Sequence, residues 1–134
     1  MNNLDKIRVV VADDKDCIRT GIRNILELTG DIILLGEASN GEDAICLVEK
    51  TQPDVILLDI EMPVLDGIEA AKIIKSRFPA VQIVFISGYG DRYFLHTVRE
   101  LCCAGYIVKD EAPKTLIPTI RSAAGKSIQA YKAD

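Results

Sequence analysis

The sequence predicts an α/β fold in which helices cover both faces of a parallel sheet. Short apolar runs rich in β-branched residues alternate with longer segments whose apolar residues recur at helical spacing, the pattern of repeated strand–helix units. The 134 residues are 49% hydrophobic, enough chain for one core and too little for cores to divide. Three of the runs end in acids or a lysine, and strands of one parallel sheet would bring those side chains to a single edge.

The elements follow in order. Ile7 to Ala12 form a first strand closed by Asp13 and Asp14, and Ile18, Ile22, Ile25 and Leu26 then make one face of a helix. A second strand is expected over 32 to 38. Asn40-Gly41 before Glu42 marks a helix start, with the helix over 42 to 51 ended by Pro53. The third strand, 54 to 59, ends in Asp59. Asp66 with Glu69 three residues later offers a capping-box start to a helix whose stripe is Ile68, Ala71, Ile74 and Phe78. The fourth strand, 81 to 87, ends in Ser87, and a helix over 91 to 104 stops at Gly105. The fifth strand, 105 to 108, leads to Lys109 and a last helix over 113 to 125 with Pro113 in its first turn. Pro118 falls inside that helix, where the missing N–H and the ring clash cost about 3 kcal/mol, so a kinked or late-starting helix is expected. Residues 126 to 134 read as a frayed polar tail. The domain is therefore expected over 1–126, with a tail or the start of a linker over 127–134.

A formal net charge of −4 argues against nucleic-acid binding by this chain alone. No signal-like N-terminal segment and no apolar run of membrane-spanning length is present, so the expected location is cytoplasmic, without membrane contact. Cys17, Cys46, Cys102 and Cys103 have no CxxC or metal-ligand spacing and are expected as buried or half-buried free thiols. His96, the single histidine, is expected on an exposed helix face.

Right-handed crossovers make such a sheet doubly wound, and ligands bind beyond the carboxyl ends of its strands where the strand order reverses. Converging acids there repel one another, so one protonates or a divalent cation sits among them. Oxygen donors without thiolate or imidazole favour Mg²⁺. Asp14 and Asp59 are read as direct ligands, with Asp13 holding a bound water. Asp59, central on the edge, can attack phosphorus and form an acyl phosphate. Lys109 supplies a cation for a phosphoryl oxygen and Ser87 a hydroxyl donor.

Val11-Ala12-Asp13-Asp14, the run Leu57 to Gly67, Ser87-Gly88 and Gly105-Tyr106-Ile107-Val108-Lys109 together resemble the receiver domain of bacterial response regulators, over roughly residues 6 to 125. The resemblance implies a flavodoxin-like doubly wound (βα)5 sandwich, its five-stranded parallel sheet in the order 2-1-3-4-5. It implies that Asp59 is the phosphoacceptor for a sensor histidine kinase, and that Asp13, Asp14, Asp59 and the backbone carbonyl of Glu61 bind Mg²⁺. It further implies that Lys109 pairs with the phosphoryl group, and that Ser87 and Tyr106 are the switch residues. Gly105 to Asp110 with Ile120 to Lys126 resemble the subfamily that carries a C-terminal LuxR-type helix-turn-helix output domain. That resemblance implies control of transcription, a phosphorylation-dependent homodimer, and nucleic-acid contact only through an output domain absent from this chain. Glu61 and Tyr89, beside the site, are expected to set the lifetime of the phosphate.

Two departures stand out. Asp110 follows Lys109 where many receivers have a proline after a cis bond, and a non-proline cis bond costs about 2.5 to 4 kcal/mol, so a trans bond is expected. Pro118 replaces a helix former and bears on the face made by the helix expected over 91 to 104, the fifth strand and the last helix. Two rival readings are an Asp-nucleophile phosphatase or mutase using Asp14 in Asp14-Lys15-Asp16, and an unphosphorylated receiver-like binding module.

Overall fold

The computed structural model describes residues 6–88, 99–101 and 103–132. Its elements run β1 (Ile7–Ala12), α1 (Asp16–Glu27), β2 (Ile32–Ala38), α2 (Gly41–Thr51), β3 (Val55–Asp59), α3 (Gly67–Arg77), β4 (Gln82–Ser87), β5 (Gly105–Val108), a 3₁₀ turn (Lys109–Glu111) and α4 (Ala112–Lys132). The five strands form one parallel sheet in the order β2-β1-β3-β4-β5, as expected. The order reverses between β1 and β3, the strands that carry the acids.

Alternation along the strands builds two core layers, because successive side chains point to opposite faces. Val10, Ala12, Ile56, Leu58, Ile83 and Phe85 pack with Ala44 and Val48 of α2 and Ala71 and Ile74 of α3. Val9, Val11, Val55, Leu57, Val84 and Ile86 pack with Ile22 and Leu26 of α1 and Leu116 and Ile120 of α4. β3 is buried at every position, which explains why its sequence is a continuous apolar run rather than an alternating one.

The predicted caps form. The Asn40 side chain accepts from Asp43 N at 2.8 Å, and the Asp66 side chain accepts from Glu69 N at 2.9 Å, each satisfying a helix-terminal donor. α2 ends at Gln52 in the left-handed region, its N–H on the Val48 carbonyl. The starts of α2 and α3 press hard on the loop between β3 and α3. A Cβ on Gly67 would lie 1.9 Å from the Asp59 carbonyl oxygen, and one on Gly41 would lie 2.1 Å from that of Leu65. Glycine alone permits these approaches, and the Gly67 N–H uses its own to reach Ile60 O at 2.8 Å. In the same loop Leu65 N donates to Pro63 O at 2.7 Å with Val64 between them at φ 69°. This is a γ-turn of positive φ, a strained form, held by a β-branched residue that is 75% exposed.

Three expectations are corrected. The last helix does not start late: α4 is continuous from Ala112 to Lys132 with Pro118 inside. Leu116 and Ile120 are fully buried on either side of an exposed Pro118. The ring thus sits on the solvent side, and core packing outweighs the local cost. The frayed tail expected from 126 is helical to Lys132. Cys17 and Cys46 are free but exposed, with Cys103 half-buried. Cys46 lies off the stripe of Ala44, Ile45 and Val48, and Cys17 lies off that of Ile22 and Leu26. No described peptide bond is cis, so Lys109–Asp110 is trans. The helix expected over 91 to 104 lies mostly outside the described residues, where His96, Tyr89 and Cys102 also fall; Arg99 and Glu100 are helical.

Two substitutions test this loop. Gly67→Ala is expected to destabilise by about 2 to 4 kcal/mol, since backbone must move to admit the methyl group. Val64→Asn is expected to stabilise by about 1 kcal/mol, because asparagine tolerates positive φ and no packing is lost. Urea unfolding of each variant checks both, as shifts of midpoint at constant slope.

Candidate functional site

Four of the five strands leave a chemical group at the carboxyl edge of the sheet. Asp13 follows β1, Asp59 ends β3, Ser87 ends β4 beside Val108, and Lys109 follows β5. The pairings Val11↔Leu57, Asp59↔Ile86 and Ser87↔Val108 set these ends side by side.

The side chains meet. Lys109 Nζ lies 2.9 Å from Asp13 Oδ2 and 3.3 Å from Asp59 Oδ2, with only 12% of its side chain exposed. Asp13 is fully buried, Asp59 is 2% exposed and Ser87 5%. Asp13 Oδ1 accepts from Lys15 N at 2.8 Å, and Asp59 Oδ1 accepts from Glu61 N at 3.3 Å. Neither Oδ2 atom has any donor in hydrogen-bonding geometry, so each relies on its ion pair with Lys109. Asp14 is exposed at the rim, 3.5 Å from Lys15 Nζ.

Carboxylate oxygens of Asp13, Asp14 and Asp59 all lie within 4.8 Å of one another. Two buried acids share the one ammonium of Lys109, a third acid stands at the rim, and two of the buried oxygens lack hydrogen-bond donors. That set fits a small, hard divalent cation that takes oxygen ligands. Lys15, Ile18, Asp59, Glu61, Ser87, Gly88, Lys109 and Asp110 line a cleft of about 380 Å³ above it, large enough for a phosphoryl group. Tyr106 is half-buried on β5, paired with Phe85 and packed against the core layer of α2 and α3.

Burial, reinforced by the negative charge of Asp13, pushes the Asp59 carboxyl up to about 6, against the pull of Lys109 and the Glu61 N–H. Burial alone would lower the Lys109 pKa, but its close ion pairs with Asp13 and Asp59 win and hold it above the ordinary lysine value. The cluster therefore keeps Lys109 charged and leaves the Asp59 carboxylate poorly compensated.

Sequence reasoning found the acids, Ser87 and Lys109 but passed over Arg19 and Glu37, which tie the Asp13 loop to β2. A signal existed: Glu37 is a lone acid in the apolar run of residues 32 to 38, and Arg19 abuts the apolar stripe of α1.

An acid whose pKa is raised by folding stabilises the fold below its unfolded pKa, and that stability is lost as pH rises through the folded value. For Asp59 the window runs from about pH 4 to 6. In the presence of a chelator, Asp59→Asn is expected to be more stable than wild type at pH 7.5 by about 2 kcal/mol, with the gap closing at pH 4. Denaturant titrations at the two pH values measure it.

Comparison with known proteins agrees with this geometry. Residues 9–121 match the response regulator receiver domain. The chain is 42% identical over 122 residues to the uncharacterized transcriptional regulatory protein YxjL of Bacillus subtilis, covering 91% of this chain and 56% of that protein. It is 33% identical over 124 residues to the nitrate/nitrite response regulator protein NarL of Escherichia coli K12, covering 92% and 57%. The chain thus spans about half the length of the curated relatives it matches. Among solved structures, the signal receiver domain of the putative response regulator NarL from Mycobacterium tuberculosis superposes with a TM-score of 0.85 at 30% identity, over 90% of this chain and 98% of that one. With its acids and lysine gathered at the strand ends and a family match across most of its length, this chain belongs to the response regulator receiver domain family.

Proposed function

We propose that the chain is the phosphoacceptor module of a two-component response regulator, with Asp59 taking a phosphoryl group from a sensor histidine kinase. The observation that carries this reading is Asp59, buried at the centre of the edge, with Lys109 3.3 Å from its carboxylate and an open cleft above. An Asp59 oxygen attacks phosphorus, the phosphorus–nitrogen bond of the donor breaks, and the departing imidazole keeps the electron pair and takes up a proton. Mg²⁺, held by Asp13, Asp14, Asp59 and the backbone carbonyl of Glu61, would supply positive charge against the phosphoryl oxygens.

The chain's own groups do the rest. The raised pKa of Asp59 reflects a carboxylate poorly compensated in its resting state, and formation of the acyl phosphate moves negative charge from the buried carboxylate out to the phosphoryl oxygens in the cleft. Lys109 then faces phosphoryl oxygens, and the Ser87 hydroxyl at the end of β4 donates to another. Tyr106, beside Phe85 on the neighbouring strand, turns inward as β4 adjusts, and a pre-existing equilibrium shifts toward the form that engages the output. The chain modifies itself and turns over no separate substrate, so it is a switch rather than a conventional enzyme. In this reading residues 1–126 make the receiver unit, and 127–134 are a C-terminal tail or the start of a linker.

Control of transcription is supported by relatives about twice as long that are named as transcriptional regulatory proteins, and phosphorylation-dependent homodimerisation is part of the same proposal; DNA contact would come from an output domain beyond this chain. The expected compartment is the cytoplasm, and no helix among the described residues is long and apolar enough to cross a membrane. The rival phosphatase reading needs Asp14 as nucleophile, yet Asp14 is exposed at the rim while Asp59 holds the centre.

Incubation with acetyl phosphate and Mg²⁺ is expected to add one phosphoryl group to wild type and none to Asp59→Asn, read by intact mass. Labelling of the Asp59→Asn variant, or wild-type labelling that ignores a chelator, would contradict the assignment.

A further inference from the structure

Asp13, Asp14 and Asp59 account for the front of the site, but an arginine reaches the same loop from behind. The Arg19 side chain, on α1, is only 16% exposed, and each of its three nitrogens has a different acceptor. Nη1 donates to the Asp13 carbonyl oxygen at 2.6 Å, Nη2 to Asp16 Oδ1 at 2.9 Å, and Nε to Glu37 Oε1 at 3.2 Å. Glu37, on β2, is held in turn through its other oxygen by Arg23, with Nη2 at 2.7 Å and Nε at 2.9 Å.

The carbonyl that Arg19 grips belongs to the peptide unit joining Asp13 to Asp14. That unit is planar, so fixing the direction of its oxygen fixes where the Asp14 backbone begins relative to Asp13. Asp13 is anchored on its other side as well, by Asp13 N on Ala38 O at 3.0 Å and Lys15 N on Asp13 Oδ1 at 2.8 Å. A guanidinium presents its donors in a rigid fork, and here the fork spans three elements at once: the loop after β1, the first turn of α1 and β2. An ammonium, a compact point charge, cannot hold that geometry.

We infer that Arg19 is a positioning residue for divalent-cation binding, clamping the Asp13–Asp14 peptide plane to Glu37 so that the two acids are pre-set around the cation. The inference rests on the reading of the acid cluster as a Mg²⁺ site. Residues that orient metal ligands from behind carry about a tenfold or larger share of metal affinity. Removing the fork therefore weakens Mg²⁺ binding by about that factor. Glu37→Gln, which leaves Arg19 in place but loosens it, weakens binding in the same direction by less.

The test is isothermal titration of the chain with MgCl₂ in wild type, Arg19→Met, Arg19→Lys, Glu37→Gln and a control, Arg121→Met, which removes an exposed pair with Asp31 at 2.9 Å. Urea unfolding in chelator establishes that each variant is folded at the titration temperature. The expected result is about tenfold weaker Mg²⁺ binding for Arg19→Met, partial recovery in Arg19→Lys, a smaller loss in Glu37→Gln and wild-type affinity in Arg121→Met. Wild-type affinity in Arg19→Met or Glu37→Gln overturns the inference, as does an equal loss in Arg121→Met. If Arg19→Met does not fold, Arg19→Lys and Glu37→Gln decide by the same criterion. A wild-type chain that takes up no Mg²⁺ defeats the cation-site reading itself, whereas normal wild-type uptake with unaffected variants defeats only the role of Arg19.

Discussion

Two carboxylates and one ammonium buried together are the constraint around which this molecule is arranged. Asp13 and Asp59 are almost fully removed from solvent, and each would be costly there without Lys109 between them. The three come from segments far apart in the chain, so the pairing exists only if β1, β3 and β5 are parallel and in register. The sheet brings the charges together, and the charges leave an imbalance at its edge that a phosphoryl group and a cation can relieve.

The supporting loops are tight for the same reason. Gly67 lets α3 begin against the Asp59 carbonyl, and Gly41 lets α2 begin against that of Leu65, so both helix starts rest on the segment that follows the acceptor. The γ-turn at Val64 closes that segment at the cost of positive φ on a β-branched residue. On the opposite flank Arg19 and Glu37 hold the loop after β1. Asp59 is thus framed by backbone that has little room to move, while Asp14, Lys15 and Glu61 at the rim stay open to solvent.

A rigid frame under a reactive edge also explains how a local charge change could travel. β4 carries Ser87 at its end and Phe85 within the core, and Phe85 pairs with Tyr106 on β5. Under the proposed function, a pull on Ser87 acts on a strand whose side chains are close-packed, and close-packed layers respond by discrete rearrangement rather than by continuous strain.

Most of the fold was legible in the residues because periodicity and caps are local signals. The apolar runs, the Asn40 and Asp66 caps and the acids at the strand ends all lie within a few residues of the features they specify. Five strands and their order followed, the order with help from the family resemblance. What the tertiary structure alone decided involves distance across the sequence. Lys109 lies between Asp13 and Asp59, Arg19 reaches the Asp13 carbonyl while bound to Glu37, and Pro118 is carried inside a continuous helix because Leu116 and Ile120 are buried in the core. Each of these outcomes is set by which surfaces meet once the sheet has formed, and local sequence pattern does not encode that meeting.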